Sequence, residues 1–505
     1  MAKTFRPYLP HQSFLLPPSP MDWLPEGHLA RFILEMVGEL DLSGIMARYE
    51  REMRGHPPYH PQMMVALLLY AYCVGVPSSR KIERRTYEDI AFRVIAGNTH
   101  PDHCAISDFR RRHLDALVGL FTQVLQWCQL AGLVKLGHVS IDGTKLKGNA
   151  SKHKAMSYKR LREEEDRLNA KVLALLNAAE SADAEGDAAH GAGVRGDDLP
   201  KELLRTEERL KRIRDVKRAL EDEARLGREE EAAAKRSKRE SAAEADTDEA
   251  ESDGADTDTA SAEVETVDQL SHQEPAAAPN EAGAEGKQQD AEPSAGDLAR
   301  SEPMPLNRPP SNTDGTPTDK AQRNFTDPDS RIMKTGDGYI QGYNGQAVVD
   351  STSQIIVAHG LSNQSPDAEY FVPLLDMAVA NLGQAPAVVT ADNGYFSERN
   401  VSSALAHKIL PYIAPGRERH GAVGFEPPKP GVNRTVKEEM RAGLSEPLGN
   451  SLYRRRKAII EPVFGQIKNR GFRSLLLRGL AKARGEWALI ALTHNLLKLH
   501  KCALR

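Results

Sequence analysis

Apolar residues recur at helical spacing through the first quarter of the chain. Residues 28–39 follow this pattern, and residues 63–75 repeat it after a proline-rich stretch. Two further helical segments follow at 78–97, which ends at a glycine, and at 106–132. The pattern predicts an all-helical N-terminal domain of four to six helices over residues 1–135.

The pattern changes after this domain, where HVSID (138–142) predicts a short strand. Residues 136–150 are therefore predicted to begin a second domain that contains a sheet. Residues 151–236 return to helical spacing with one apolar face. The apolar positions of this face are Leu161, Leu168, Val172, Leu175, Leu203, Leu210, Ile213 and Leu220. The spacing favours a helical hairpin or short coiled coil, and a single solvated helix is the alternative.

Strands and helices alternate in the last third of the chain. Apolar runs predict strands at GYNGQAVVD and QIIVAHG, and later at AVVTAD and ILPYIA. Helices are predicted from 367 to 382, near 397–407 and from about 452 onwards. With the HVSID strand placed first, this order is that of an RNase H-like fold. Residues 136–150 and 326–505 then form one α+β or α/β domain, a mixed sheet flanked by helices and interrupted by a long insertion.

Charge is distributed unevenly along the chain. Residues 237–325 are rich in Ala, Glu, Asp, Ser, Gly and Pro, which predicts an acidic disordered linker. Within this segment, residues 241–299 hold seventeen Asp or Glu and a single Lys, a local charge of −16. Because the whole chain carries −4, the remainder carries +12. A basic balance of that size attracts nucleic-acid phosphates.

Cysteine spacing and the lack of long apolar runs indicate a cytoplasmic protein. The four cysteines contain no CxxC pair, which argues against a zinc site or a disulfide framework and suits a reducing compartment. No stretch reaches the ~18 uncharged apolar residues of a membrane span, and the first twenty residues lack the pattern of a signal peptide. We therefore expect no membrane partner.

Three acidic residues stand where a sheet can bring carboxylates together. Asp142 ends the first predicted strand, Asp392 ends AVVTAD, and Glu461 lies beside Pro462 in the last helical region. Adjacent strand ends meet at one edge of an open sheet. Taken singly, each acid has an ordinary explanation, because Asp-Gly and Asp-Asn-Gly are turn sequences and a helical Glu is usually solvated. Glu461 is less easily explained as a solvated residue, because its neighbours in the sequence are apolar.

A cluster of three carboxylates suits phosphodiester chemistry. Hard oxygen ligands hold Mg²⁺, and two ions about 4 Å apart stabilise both the attacking and the leaving oxygen. We expect Asp142, Asp392 and Glu461 to be catalytic residues and the ligands of two Mg²⁺ ions, for which Mn²⁺ can substitute.

The segments that carry the three acids read VSIDGTKLKGNASK, VVTADNGYFS and RRRKAIIEPVFGQIKNRGFR, and ALTHNLLKLHK follows at 491–501. These segments resemble the catalytic motifs and the C-terminal region of bacterial insertion-sequence DDE transposases. Residues from about 60 to 113 resemble the helical domain that precedes the catalytic core in the InsH-like group. The resemblance implies that the three acids form the metal-binding triad of an RNase H-like core.

The resemblance also implies basic residues on the helix of Glu461. Lys468 lies seven residues after Glu461, at the position of the family's basic residue. Many relatives have Tyr and then Arg before the Glu; here Tyr453 and Lys457 lie eight and four residues upstream, with Arg456 among the arginines between them. Tyr453, Lys457, Glu461 and Lys468 fall near one side of a helix, where cations can hold DNA phosphates. A generic basic stripe is the alternative, and the family's arginine role stays unassigned.

Two further sets of basic residues are candidate DNA contacts. Lys145 follows Asp142 closely, and Arg110, Arg111 and Arg112 form a run in the N-terminal domain. Arginine suits this task because its planar fork can bind a phosphate or a guanine bidentately. A solvated helix face would tolerate the same run.

Together these features predict a DNA transposase. Water activated between two metal ions attacks a phosphodiester at the element end, and the released 3′-hydroxyl attacks target DNA. The expected partners are double-stranded DNA, as terminal inverted repeats and target in the bacterial nucleoid, and a second copy of the chain on that DNA. The alternatives are an RNase H-like nuclease without strand transfer, a transposase-derived DNA-binding regulator, and a protein-interaction factor built on the insertion.

Overall fold

Helices make up the N-terminal region of the protein. The computed structural model of the chain describes residues 19–50, 57–190, 201–251, 304–416, 425 and 434–504. Within these ranges the N-terminal helices are α1 (Leu29–Glu39), α2 (Ser43–Glu50), α3 (Pro61–Cys73), α4 (Ser79–Glu88), α5 (Ile90–Ile95), α6 (His103–Arg112) and α7 (Leu114–Leu130). The predicted all-helical character is confirmed, but the expected four to six helices are seven in the described part of this region.

Two of the predicted helices are each divided by one polar residue. Asp89 is extended between α4 and α5, and its carboxylate accepts hydrogen bonds from the N–H groups of Ala91 and Phe92. His113 leaves helical geometry between α6 and α7, where its imidazole contacts the Tyr49 hydroxyl at 3.2 Å. Apolar spacing continues through both breaks, so periodicity alone merged the helices on either side.

A mixed sheet forms the centre of the second domain. The strands of the described chain are β1 (His138–Lys147), β2 (Ala155–Ser157), β3 (Gln322–Asn324), β4 (Arg331–Thr335), β5 (Gly338–Asp350), β6 (Ile356–Ser362), β7 (Val388–Ala391) and β8 (Leu410–Ile413). Side by side, the central sheet runs β6-β5-β1-β7-β8, and β4 pairs with the first part of β5. Strand β5 is antiparallel to β1, and β7 is parallel to both β1 and β8. This is the predicted RNase H-like arrangement, and the fold class is confirmed.

The insertion after β1 is a pair of antiparallel helices, which we call the helical hairpin. Helix α8 (Tyr158–His190) packs against α9 (Lys201–Glu251) through a small apolar cluster of its own. This cluster contains five of the leucine and isoleucine positions of the predicted apolar face, Leu161, Leu168, Leu210, Ile213 and Leu220. Strands β2 and β3 pair with each other where the chain enters and leaves the insertion. The helical insertion is therefore confirmed.

In the described part of the chain, five further helices pack around the sheet. They are α10 (Phe371–Leu382), α11 (Glu398–Ala406), α12 (Val436–Ser445), α13 (Pro447–Asn469) and α14 (Leu480–Ala503). Helix α14 contacts α3, α7 and β6, and so joins the N-terminal helices to the sheet. Its Trp487 is fully buried and donates its indole N–H to the carbonyl of Gln346 on β5 at 3.1 Å. In the part of the chain that the structure covers, no helix has the length and apolar character needed to cross a membrane.

The segment expected to be an acidic disordered linker, residues 237–325, is helical at its start and contains a strand at its end. Helix α9 continues to Glu251, and residues 304–325 contain β3 and a bridge between Ser311 and Pro317. The helix extends beyond the last regularly spaced apolar residue because Ala, Glu, Lys and Arg are strong helix formers and do not need an apolar face to form a helix. Residues 252–303 of the expected linker lie outside those that the structure describes.

Candidate active site

Asp142 and Asp392 occupy neighbouring positions where the pairing of two parallel strands ends. The last register pair of β1 and β7 is Ile141 with Ala391. Neighbouring strands lie about 4.8 Å apart, so the next residue of each chain leaves the pairing side by side. Strand β1 itself continues along β5 as far as Lys147. The structure therefore brings these two predicted site residues together.

Asp142 is a largely buried carboxylate with only 23% of its side chain exposed. Its Oδ1 accepts a hydrogen bond from the N–H of Gly143 at 2.7 Å, and its Oδ2 faces Arg456 Nη1 at 3.4 Å. Burial raises the pKa of Asp142 from 3.8 to about 6; the Gly143 hydrogen bond and Arg456 lower it, and the negative charges of Asp392 and Asp367 raise it. Asp142 is thus held where its charge is poorly compensated.

Asp392 is both a turn residue and a member of this site. It caps the short turn at 393–395, and its Oδ1 accepts a hydrogen bond from the N–H of Gly394 at 2.9 Å. A methyl group on Gly394 would lie 3.0 Å from Asp392 Oδ1 and 3.7 Å from Asp367 Oδ2. Both carboxylates therefore flank the same turn, and the ordinary explanation of Asp392 as a turn residue does not exclude the functional one.

Asp367 is the acidic neighbour that the sequence interpretation missed. Its Oδ1 accepts hydrogen bonds from Asn344 at 2.8 Å and from Gln346 at 2.8 Å, and it pairs with the Lys145 ammonium at 3.3 Å. The sequence placed this residue only at the start of a helix. It follows β6 by five residues, so the pattern that singled out Asp142, an acid just after an apolar strand, could have found it.

A buried tyrosine ties the aspartates to the sheet. Tyr395 is fully buried, and burial, followed by the charges of Asp367, Asp142 and Asp392, raises its pKa well above 10. Its hydroxyl therefore stays protonated and donates a hydrogen bond to Gln346 Oε1, while Gln346 Nε2 donates to Asp367. The position of Asp367 is fixed through this chain of hydrogen bonds.

Glu461 does not join the aspartates in this structure. The residues of α13 that are buried around it are Ile459, Ile460, Val463, Phe464 and Ile467, whereas Glu461 is exposed. Arg456 reaches Asp142 from the buried side, and five residues along a helix turn the side-chain direction by about 140°. Among the described residues, no group of three His, Cys, Asp or Glu side chains is close enough to hold a metal ion. The triad therefore stays a prediction.

Asp142 and Asp392 nevertheless fit a divalent cation by their chemistry. Carboxylate oxygens are the ligands that Mg²⁺ prefers. The pKa of Asp142 is raised by burial and by Asp392, and a bound cation relieves both effects because it favours the charged carboxylates. The nearest compensating charge, Arg456, is 3.4 Å away. The two aspartates thus have the donor atoms and the uncompensated charge of half a metal site.

Arg110 is a residue of the protein interior, which corrects its interpretation as a DNA contact. Only 4% of the residue is exposed, and its Nη1 donates to the Tyr72 hydroxyl at 3.0 Å and the Pro77 carbonyl at 2.8 Å. Arg111 and Arg112 are exposed, and Arg111 pairs with Asp108 at 2.9 Å. Helical periodicity turns the first arginine of the run inward, so only the other two can meet a phosphate.

Lys145 and the basic residues of α13 divide between the site and the surface. Lys145 Nζ donates to the Ser365 carbonyl at 2.7 Å as well as contacting Asp367, so it is a partner of the site rather than a free surface lysine. Arg456 is 7% exposed and points to Asp142. Lys457 is exposed, and Tyr453 and Lys468 are half-buried. Arg456 is therefore the arginine of this helix that reaches the aspartates.

Two family models match the chain. Residues 18–112 match a family described as "Transposase domain (DUF772)", and residues 311–496 match one described as "Transposase DDE domain". The second match contains Asp367, Asp392, Arg456 and Glu461, and Asp142 lies between the two matches. No curated protein and no solved structure matches the chain.

Proposed function

We propose, on the premise that the chain carries both domains of an insertion-sequence DDE transposase, that it cleaves DNA at the ends of its element and joins the released 3′-hydroxyl to target DNA. The observation that carries this proposal is the adjacent pair Asp142 and Asp392 at the end of the β1–β7 pairing. Proteins with these transposase domains generally use divalent metal ions. Asp142 and Asp392 would hold such ions, Mg²⁺ or Mn²⁺.

A bound divalent ion supplies stabilisation of the charge that develops on the attacking and leaving oxygens. The chain's own residues prepare the place for this chemistry. Burial of Asp142 removes water that would screen its charge, and Arg456 holds one of its oxygens. Asp367 is held by Lys145, and its negative charge contributes to the raised pKa of Asp142, an effect that a bound cation would oppose.

We assign Glu461 to the third ligand position through a change in α13 on DNA binding. Pro462 follows it inside the helix and has no N–H, so the carbonyl four residues earlier, on Ala458, loses its helical partner. Gln354 fills that gap by donating to the Ala458 carbonyl at 3.1 Å. The helix therefore lacks one backbone hydrogen bond next to the residue that would turn toward the aspartates.

DNA and a second copy of the chain complete the proposal. The transposase domains imply DNA binding. Two element ends must be held at once for joining, so we expect at least a dimer on DNA. Strand transfer separates this function from that of a nuclease: products joined to a supplied 3′-hydroxyl end support a transposase, and hydrolysed products alone support the nuclease.

The test is cleavage of a supercoiled plasmid that carries the element's ends, with Mg²⁺ or Mn²⁺. We expect Asp392→Asn to lower the cleavage rate by roughly three orders of magnitude or more, since several kcal/mol of charge stabilisation are lost at about 1.4 kcal/mol per tenfold. Asp337→Asn, in the exposed turn between β4 and β5, is the matched control and should cleave normally. Equal products from the two variants would remove Asp392 from catalysis.

A further inference from the structure

Beyond the aspartates, two adjoining clefts open between the end of β1 and the helical hairpin. The first, of about 690 Å³, is lined by residues 147–154, the β4–β5 hairpin and residues 474–478. The second, of about 530 Å³, is lined by the start of α8, by α9 and by the segment after β3. Because Lys154 and Thr326 line both, the two clefts form one continuous depression.

Basic side chains dominate this depression, which we call the cationic cleft. Its exposed cations are Lys147, Lys152, Lys154, Arg160, Arg209, Arg212 and Arg478. No carboxylate of the described residues lines either part. Arg209 pairs with Glu164 at 2.7 Å, and the other six form no ion pair in the parts of the chain that the structure covers. The cleft therefore presents uncompensated positive charge.

Between the two helices of the hairpin, several basic residues have acidic partners. Between the two helices, Arg209 pairs with Glu164 at 2.7 Å, Lys217 pairs with Glu165 at 2.8 Å, and Lys171 pairs with Glu202 at 2.7 Å. Several basic residues between the two helices are thus neutralised by acidic neighbours, whereas six of the seven exposed cations of the cleft are not. A row of like charges without counter-charges is suited to a polyanion.

The cleft lies on the continuation of the strand that carries Asp142. Lys147, the last residue of β1, is five residues beyond Asp142, or roughly 17 Å at about 3.3 Å per residue. A DNA duplex carries one charge per ~1.7 Å of its axis, so a duplex with one phosphodiester at Asp142 has many phosphates within this distance. Tyr339, 60% exposed, also lines the cleft, where its ring can pack on a deoxyribose.

We propose that the cationic cleft binds the phosphate backbone of the duplex next to the cleaved phosphodiester, so that the helical hairpin is part of the DNA interface. The proposal rests on the proposed function for the position of the DNA, and on the charge of the cleft for the contact itself. Such contacts position the duplex and carry no sequence information. The cleft therefore binds any duplex sequence that the site can accept.

The test is the salt dependence of duplex binding, measured by fluorescence anisotropy in EDTA with a linear duplex of arbitrary sequence. The triple variant Lys152→Gln, Lys154→Gln, Arg212→Gln should reduce the slope of log K against log salt by roughly 2 to 3, because each lost phosphate contact removes about 0.9. Affinity at low salt should fall at least about tenfold. Thermal melting checks that the variants fold, and all three side chains are exposed.

The matched control removes the same charge from exposed cations outside the cleft, with Lys211→Gln, Arg218→Gln and Lys437→Gln. The control should keep the slope of the unmodified chain. An unchanged slope in the cleft variant overturns the proposal. Polyglutamate is tested in the same assay, and a variant that loses binding of polyglutamate but keeps duplex binding also overturns the proposal, because the occupant would then be an acidic polypeptide.

The two proposals fail separately in this design. Binding in EDTA needs no cleavage, so Asp392→Asn should bind the duplex normally. If the cleft variant also binds normally while Asp392→Asn is inactive in cleavage, the cleft proposal fails and the proposed function stands. If Asp392→Asn still cleaves while the cleft variant loses duplex binding, the proposed function fails and the cleft remains a DNA surface.

Discussion

Two runs of three arginines, residues 110–112 and 454–456, each turn one arginine into the protein, but toward opposite surroundings. Arg110 donates to a hydroxyl and a carbonyl inside the N-terminal helices. Arg456 faces a carboxylate, Asp142, at the end of a strand. The helix phase decides which arginine is buried, and the partner decides what it does. Arg110 stabilises the packing of the N-terminal helices, and Arg456 contacts a carboxylate of the candidate site.

The largest expected effect falls on the structural side of this comparison. Replacing Arg110 by Gln leaves the Tyr72 hydroxyl and Pro77 carbonyl without their donor and removes a positive charge that lowers the pKa of the fully buried Glu486. We expect the free energy of unfolding to fall by about 3 kcal/mol, as for other buried charged groups that lose a partner. Urea unfolding measures it.

The matched control is Arg111→Gln, because Arg111 is exposed and pairs only with Asp108 on the surface. A change below about 0.5 kcal/mol is expected there. Equal destabilisation by the two variants would contradict the distinction between the buried and the exposed arginine.

The next effect falls on the site. Arg456→Gln releases Asp142 Oδ2, and a misplacement of about 1 Å in an active site can cost ~10²-fold in rate. We expect cleavage at saturating Mg²⁺ to fall about ten- to hundredfold. The half-saturating Mg²⁺ concentration should not rise, since removing a positive charge beside a carboxylate favours a cation.

Arg456→Lys should restore part of the rate, and Arg454→Gln, an exposed neighbour, should leave it unchanged. A normal rate for Arg456→Gln at saturating Mg²⁺ would place Arg456 with Arg110 among the structural arginines.

The smallest effect has the opposite sign to that at Arg110. Because folding raises the pKa of Asp142 from 3.8 to about 6, the native state binds more protons than the unfolded state between these values. Stability of the metal-free protein is therefore lost as pH rises through this window. Asp142→Asn should raise the free energy of unfolding by about 2 kcal/mol at pH 8, less than the roughly 3 kcal/mol of the full shift because Arg456 loses its charged partner, and should change it little near pH 4.

Unfolding in EDTA at both pH values checks this prediction, and Asp337→Asn, an exposed acid, serves as control. If Asp142→Asn is equally stabilising at the two pH values, the effect is not one of ionisation.

The architecture and half of the site follow from the sequence, for identifiable reasons. Apolar periodicity predicted the strands β1, β5, β6, β7 and β8 and most of the helices, and the strand order then placed Asp142 beside Asp392. What the sequence could not show depends on tertiary contacts. Asp367 enters the site through hydrogen bonds from β5, and the direction of Glu461 depends on which face of α13 packs on the sheet. The burial of Arg110 likewise depends on helix packing, which the sequence alone does not show.

The short ribbon of β2 and β3 has a consequence for how this chain can vary. Residues 155–157 pair with residues 322–324, so the insertion between them begins and ends at points about one strand spacing apart. Loop-closure entropy costs only about 0.6 kcal/mol for each doubling of length. The insertion between these two strands can therefore be shortened, lengthened or replaced at a small cost in free energy, while Asp142 and Asp392 keep their spacing.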